Sequence, residues 1–160
     1  NQRSRARLLG AGTSADAWNA TAPHPEGEGA GRAMSRAIHD AGIPREEIDH
    51  VNAHGTGTPL GDRAEALAIA RVLGPETRVS SVKGSLGHCI AAAGAIEAVV
   101  SIASLEHGFL PGTQGLDNPD PACPIQALTQ SIEDSPSVVL SNSFGFGGQN
   151  CSLIFGKANA

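Results

Sequence analysis

The residues of this chain best suited to chemistry fall in three short segments. Each follows an apolar run of strand character, and in α/β architectures functional groups gather at strand ends and helix starts. The first is Asn52-Ala53-His54-Gly55-Thr56-Gly57-Thr58-Pro59-Leu60-Gly61-Asp62. His54 sits between an apolar run and a glycine, where an imidazole can project into a cleft and carry a proton near neutral pH. A satisfied structural histidine fits the same position. The second segment is Ser80-Ser81-Val82-Lys83-Gly84-Ser85-Leu86-Gly87-His88. His88 opens a helix of small residues, whose positive end disfavours imidazolium and leaves a neutral ring able to donate one hydrogen bond. Lys83 lies in the turn feeding that helix, and Glu97 is its nearest counter-charge, so an ordinary ion pair is the plainer reading of the two. The third segment is Ser141-Asn142-Ser143-Phe144-Gly145-Phe146-Gly147-Gly148-Gln149-Asn150. Its glycines free backbone N–H groups to face a ligand, as in half of an oxyanion hole, or make a tight hairpin. It lacks the glycine spacing of a phosphate-binding loop.

The elements that must position these groups follow from periodicity. Leu8 to Ala17 reads as a strand, and Glu26 to Ala41 as a helix with Met34, Ala37, Ile38 and Ala41 at helical spacing and Gly42 as its stop. Pro44 to Glu47 makes a short helical turn, and Ile48 to Ala53 a brief strand. Asp62 to Leu73 reads as a helix closed by Gly74-Pro75. Val79 to Val82 is a buried strand. Gly87 to Glu106 forms a helix whose first half is nearly all small residues, which permits close packing and a central position. The Gly/Asn/Asp/Pro-rich stretch from Pro111 to Pro124 is an irregular connection. Val138 to Asn142 and Asn150 to Phe155 are strands joined by the turn at Gly145 to Gly148. Strands alternating with helices imply one α/β domain with a largely buried mixed sheet flanked by helices.

Composition excludes several classes. The 160 residues are 40% hydrophobic and 17% charged, the balance of a globular core. A net charge of -5 with eleven scattered basic residues argues against nucleic acid. Arg3, Arg5 and Arg7 form the one local basic run, read as a solvated chain end. Cys89, Cys123 and Cys151 are odd in number and widely spaced, so neither a disulfide framework nor a cysteine-rich zinc site is suggested, and the chain reads as cytoplasmic. No apolar run approaches membrane-spanning length, since the longest, Ile90 to Val100, contains Glu97. Asn1-Gln2-Arg3 has neither a starting Met nor an apolar signal region, which fits a fragment or processed chain better than an exported precursor.

Taken together and in this order, the three segments resemble the C-terminal signature of elongating β-ketoacyl-acyl-carrier-protein synthases of the synthase II type: N-A-H-G-T-x-T-x-x-G-D, K-x-x-x-G-H before a small-residue helix, and N-S-F-G-F-G-G-x-N. The resemblance runs from about Gly12 to Phe155, including the loop Ala22 to Gly31 and the connection Leu116 to Pro121. It implies the C-terminal half of a thiolase-like fold and decarboxylative Claisen condensation of malonyl-acyl carrier protein with an acyl thioester, in fatty-acid or polyketide synthesis. By resemblance His54 and His88 are the catalytic histidines that stabilise the enolate, and Lys83 orients His88 with Glu97 as partner. Thr56 and Thr58 match the threonines that hold the phosphopantetheine arm. The Phe146 N–H matches an oxyanion-hole donor and its ring a gate to the acyl pocket, with Phe144 nearby. Some members hold a structural cation, and Asn52, Glu97, Ser141 and Asn142 match its positions. No tightly bound cofactor is implied; the phosphopantetheine arm arrives as part of the substrate.

The departure from the family is the absence of its nucleophilic cysteine, which belongs to an N-terminal half. Cys89 adjoins His88, yet neighbours on a helix point about 100° apart, and the family has an apolar residue there. The resemblance therefore implies a partner chain carrying the cysteine, an acyl carrier protein, and a dimer of the assembled enzyme, with neither nucleic acid nor membrane as partner. Two other readings are a non-catalytic chain-length-factor-like partner of a synthase, which usually loses active-site groups, and a metal-binding module using His50, His54, His88 and Cys89, which lacks a helical H-x-x-x-H pair.

Overall fold

A computed structural model describes residues 4–158; Arg3 of the basic run and the chain start Asn1 to Arg3 lie outside them. Eight strands and four helices follow in the order β1 (Ala6–Ala15), α1 (Glu28–Ala41), β2 (His50–Asn52), α2 (Pro59–Leu73), β3 (Arg78–Ser80), α3 (Lys83–Leu86), α4 (Ala93–His107), β4 (Phe109–Leu110), β5 (Gln126–Ala127), β6 (Ile132–Glu133), β7 (Val138–Gly145) and β8 (Gln149–Lys157). Six strands form one sheet in the order β1-β8-β7-β2-β3-β5. β8 runs antiparallel to both β1 and β7, while β7, β2, β3 and β5 are parallel. The mixed α/β sheet flanked by helices is thus the expected architecture.

Period-two alternation along β7 sorts the sheet into two layers. Val138 and Leu140 face α1 and α2, joining Met34, Ala37, Ile69, Val51, Val79 and Ile154 in the larger core. Val139 faces the other way and packs with Leu105 and Phe155 beneath α4. The same alternation aims Asn142 at Met34 of α1 and Glu65 of α2, and Ser143 at Glu97 of α4. One strand therefore feeds polar groups to both faces.

The helix starts show how local rules met tertiary ones. α1 ends at Gly42 with φ 65°, a left-handed cap that only glycine adopts readily. α2 begins at Pro59 rather than at Asp62, because proline at a first helical turn lacks only an N–H that would be unpaired anyway. The helix expected from Gly87 starts six residues later, at Ala93, after a 3-10 turn at Ile90–Ala92. Cys89 (φ 52°) and Ile90 (φ 45°) both sit in the left-handed region and break the helical path. His88 consequently lies outside the helix, and the helix-end argument for its neutral ring does not apply. Strands β4, β5 and β6 escaped notice because two-residue strands carry no periodicity.

α4 covers one face of the sheet through Ala93, Glu97, Ser101, Ser104 and Leu105. Its other side is bare, with Val99 65% exposed, and Ile90 of the preceding 3-10 turn is 79% exposed. Its small residues do permit close approach, since a Cβ on Gly94 would sit 2.9 Å from Ser143 Oγ. Together with its 3-10 turn, Ile90–His107 reaches 18 residues and is long and apolar enough to cross a membrane by length and composition. That exceeds the apolar run legible in the sequence. Its buried carboxylate, ion-paired within the protein, marks it as a core helix of this sheet.

α1 lies unusually close to β1. A Cβ on Gly12 would meet Ala33 O at 2.1 Å and Ala37 N at 2.4 Å. Both are helix backbone and cannot yield without moving α1. Gly12→Ala is expected to lower stability by about 1–3 kcal/mol, read as a fall in the chemical-denaturation midpoint, whereas Gly42→Asn, at an open left-handed cap, should leave it nearly unchanged.

Candidate active site

His54 stands at the end of β2, on the loop leading to α2. Its position is set by a residue the sequence reading passed over. Glu65, buried on the inner face of α2, accepts the backbone N–H of His54 through Oε1 and of Gly55 through Oε2, both at 2.9 Å. Asn142 Nδ2 donates to the same Oε1 at 3.0 Å. Burial raises the Glu65 carboxyl pKa, and these three donors oppose that shift. The only sequence signal for Glu65 was a charge on the apolar side of a helix. Gly55 (φ 38°) bends the loop away, with Ser81 Oγ donating to its carbonyl at 2.8 Å.

The structure brings four of the expected side chains together. The His54 and His88 rings lie 5.4 Å apart between centroids, nearly perpendicular at 82°. Lys83 Nζ forms a buried ion pair with Glu97, the partner expected for it. Glu97 reaches across to β7, where Ser143 Oγ donates to its Oε2 at 3.1 Å. Burial, followed by the nearby charges of Lys83 and His88, pushes the His54 pKa down to about 3, so the ring is neutral. His54 Nδ1 is buried without a hydrogen-bond partner.

The aromatic ring beside His54 is Phe144, at 5.6 Å. Phe146 is 80% exposed at the tip of the β7–β8 turn, with Gly147 (φ 79°) and Gly148 (φ 72°) behind it. Thr56 and Thr58 share a hydrogen bond at 3.1 Å on the rim of α2. A cleft of about 520 Å³ opens beside them, and Thr56, Lys83, His88, Thr113, Ile69 and Ile125 are among its lining. It joins polar groups near the histidines to an apolar wall.

Asn52 Oδ1 is buried without a partner, an oxygen a cation could use, and Asn52 pairs in register with Ser141. Glu97 lies close by, since its carbonyl accepts from Asn52 Nδ2 at 3.1 Å. The Asn142 amide is engaged by Glu65 and Ser152, so its side chain does not face this point. Among the described residues no group of three or more His, Cys, Asp or Glu is placed to hold a metal, which removes the module built on His50, His54, His88 and Cys89. His50 instead shares a hydrogen bond with Ser80 Oγ at 2.9 Å inside the core. All three cysteines are free thiols, and Cys89 is exposed. In the basic run, Arg5 pairs with Glu106 at the surface.

His50, like His54, has its pKa driven down from 6.5 to about 3 by burial. The unfolded chain binds protons at both as pH drops below 6.5, and the folded chain does not. Stability is therefore full above that pH and is lost as pH falls toward 3, by about 1.4 kcal/mol per pH unit for each histidine. Denaturation midpoints measured across this window should show that slope, reduced where the raised Glu65 carboxyl takes up its proton in the folded chain, and His50→Gln should remove one histidine's share. A pH dependence left unchanged by His50→Gln would refute the burial of that ring.

Comparison with known proteins agrees with this architecture. Residues 5–117 match the family model described as beta-ketoacyl synthase, C-terminal domain. The chain is 45% identical over 157 residues to a mitochondrial 3-oxoacyl-acyl-carrier-protein synthase of Arabidopsis thaliana, covering 94% of this chain and 34% of that protein. It is 41% identical over 156 residues to 3-oxoacyl-acyl-carrier-protein synthase 2 of Coxiella burnetii, covering 95% of this chain and 38% of that one. Among solved structures, the ishigamide ketosynthase/chain length factor superposes with a TM-score of 0.94 at 40% identity, over 98% of this chain and 39% of that one. The chain thus spans little more than a third of the length of these relatives. On the family match and the shared thiolase fold, this chain belongs to the β-ketoacyl synthases, as their C-terminal half.

Proposed function

We propose that this chain supplies the decarboxylation machinery of a condensing enzyme that extends acyl chains from malonyl-acyl carrier protein. The observation that carries the reading is the perpendicular His54–His88 pair beside the buried Lys83–Glu97 ion pair. In decarboxylation the bond between the malonyl α-carbon and its carboxylate breaks. Carbon dioxide leaves, and the electron pair moves into the thioester carbonyl to form an enolate. Neutral His54 carries one N–H, and together with an N–H of His88 it stabilises the new oxyanion, an interaction strongest where water is excluded. Lys83 keeps a second positive charge off His54 and steadies the His88 loop, while Glu97 holds Lys83 in place. The enolate carbon then attacks an acyl thioester on a cysteine of another polypeptide segment, and the thiolate departs.

Thr56 and Thr58 present hydroxyls where a phosphopantetheine arm would run. The Phe146 N–H donates to the acyl thioester oxygen, and its exposed ring closes the acyl pocket once an N-terminal half is seated. A cation at the β2–β7–α4 junction would draw on Asn52 Oδ1, the Glu97 carboxylate and the backbones of Ser141 and Asn142, and would tie those elements together without entering the reaction. The bare side of α4 is where the N-terminal half packs, and the assembled enzyme is a dimer. One relative is designated mitochondrial, so the cytoplasmic reading rests on the unpaired cysteines alone. The non-catalytic chain-length-factor reading is weakened by the complete set of His54, Lys83 and His88.

The test is to assemble the chain with the N-terminal half of a synthase, add acyl-carrier protein, and locate the acyl group by intact mass spectrometry. The acyl thioester is expected on the partner half, with carbon dioxide released from malonyl-carrier only when both halves are present. Acylation of Cys89, or no release by the assembly, would defeat the reading.

A further inference from the structure

β1 is ten residues long and forms one edge of the six-stranded sheet, paired on its inner side with β8. An open edge of this length offers unpaired N–H and C=O groups to any second strand. Its sequence, ARLLGAGTSA, has a single charge and no proline to discourage pairing. Yet three of its outward backbone groups are already engaged. The Ala11 N–H donates to Asp40 Oδ2 at 2.9 Å, Arg36 Nη1 donates to the Thr13 carbonyl at 2.5 Å, and Arg32 Nη2 donates to the Ala15 carbonyl at 2.9 Å.

The match is one of period as well as polarity. Residues 11, 13 and 15 alternate along a strand, so their backbone groups point the same way. Residues 32, 36 and 40 lie one helical turn apart on α1, so their side chains share a stripe. Cations meet carbonyls, and the carboxylate meets the N–H. Gly10 and Gly12 make the reach possible, because the missing side chains let α1 settle against the strand backbone. None of the three side chains belongs to the catalytic constellation.

We propose that Arg32, Arg36 and Asp40 form a guard along the β1 edge that blocks antiparallel strand addition by a second copy of this chain. The guard closes an edge that the sheet order leaves open. It rests on the strand and helix geometry alone, and stands whether or not the decarboxylation reading holds.

The test uses the enzyme assembled with its N-terminal half. Arg32→Ala/Arg36→Ala/Asp40→Ala is expected to form concentration-dependent species of at least twice the wild-type mass by sedimentation, with intermolecular β-sheet absorption in the infrared. Adding Thr13→Pro, which removes an outward N–H from the strand edge, should restore the wild-type mass. A triple variant that keeps the wild-type mass at all concentrations, or association that Thr13→Pro does not suppress, would overturn the proposal. Should the triple variant fail to fold, amide exchange decides the matter. In Asp40→Ala the Ala11 amide should exchange roughly fivefold or more faster, as for loss of one hydrogen bond. Unchanged exchange at Ala11 would equally overturn the guard.

Discussion

His54→Ala in the assembled enzyme is expected to lower malonyl-carrier decarboxylation by about 10²–10⁴-fold, the range for losing a positioned donor and proton-handling group. The fold should survive. The His54 backbone N–H, which Glu65 accepts, is kept by alanine, and removing a half-buried neutral ring abolishes one acid-sensitive group. Acyl transfer to the partner's cysteine should fall far less than decarboxylation, because the proposed role of the ring is confined to the enolate. Initial rates of carbon dioxide release measure the first quantity, and intact mass of the acylated partner measures the second. A decline in decarboxylation below about tenfold would mean that another donor carries the oxyanion.

The second large effect concerns stability and activity together. Lys83→Met leaves the Glu97 carboxylate, 2% exposed at its side chain, with Ser143 Oγ as its remaining side-chain donor. Removing one partner of a buried pair typically costs about 3–5 kcal/mol, since the other charge is stranded. Glu97→Leu should cost a similar amount by stranding the ammonium. Lys83→Met/Glu97→Leu should recover most of that loss, because an apolar pair of similar volume needs no compensating charge. Activity should stay low in all three. Denaturant midpoints of the single and double variants measure the coupling, and strictly additive losses would show that the pair is solvated rather than buried. Recovery of decarboxylation in the double variant would separate the ion pair from the chemistry.

The site was legible in the sequence to a definite depth. His54, Lys83, His88 and Glu97 stand out because an imidazole after a strand, a lysine in a helix-feeding turn and a carboxylate inside an apolar helix are each costly unless paired or used. Glu65 and Asn142 illustrate what was hidden. Their hydrogen bond joins residues 77 positions apart, and nothing in either neighbourhood announces the other. Phe144 and Phe146 were separable only in three dimensions, where one ring packs on His54 and the other meets solvent. The three side chains over the β1 edge carried no signal in the sequence, because the strand they cover lies in another element.

By itself the sequence determined the alternation of strands and helices, the glycine stops, and the three motif segments, since these depend on spacing within a few residues and on local backbone preference. Tertiary structure decided the sheet order, the two-residue strands, and the left-handed turn at Cys89 and Ile90 that lifts His88 out of its expected helix. Those features are set by contacts between distant segments. A short strand forms only when a partner offers its hydrogen bonds, and a helix yields its first turns only when packing elsewhere outweighs them.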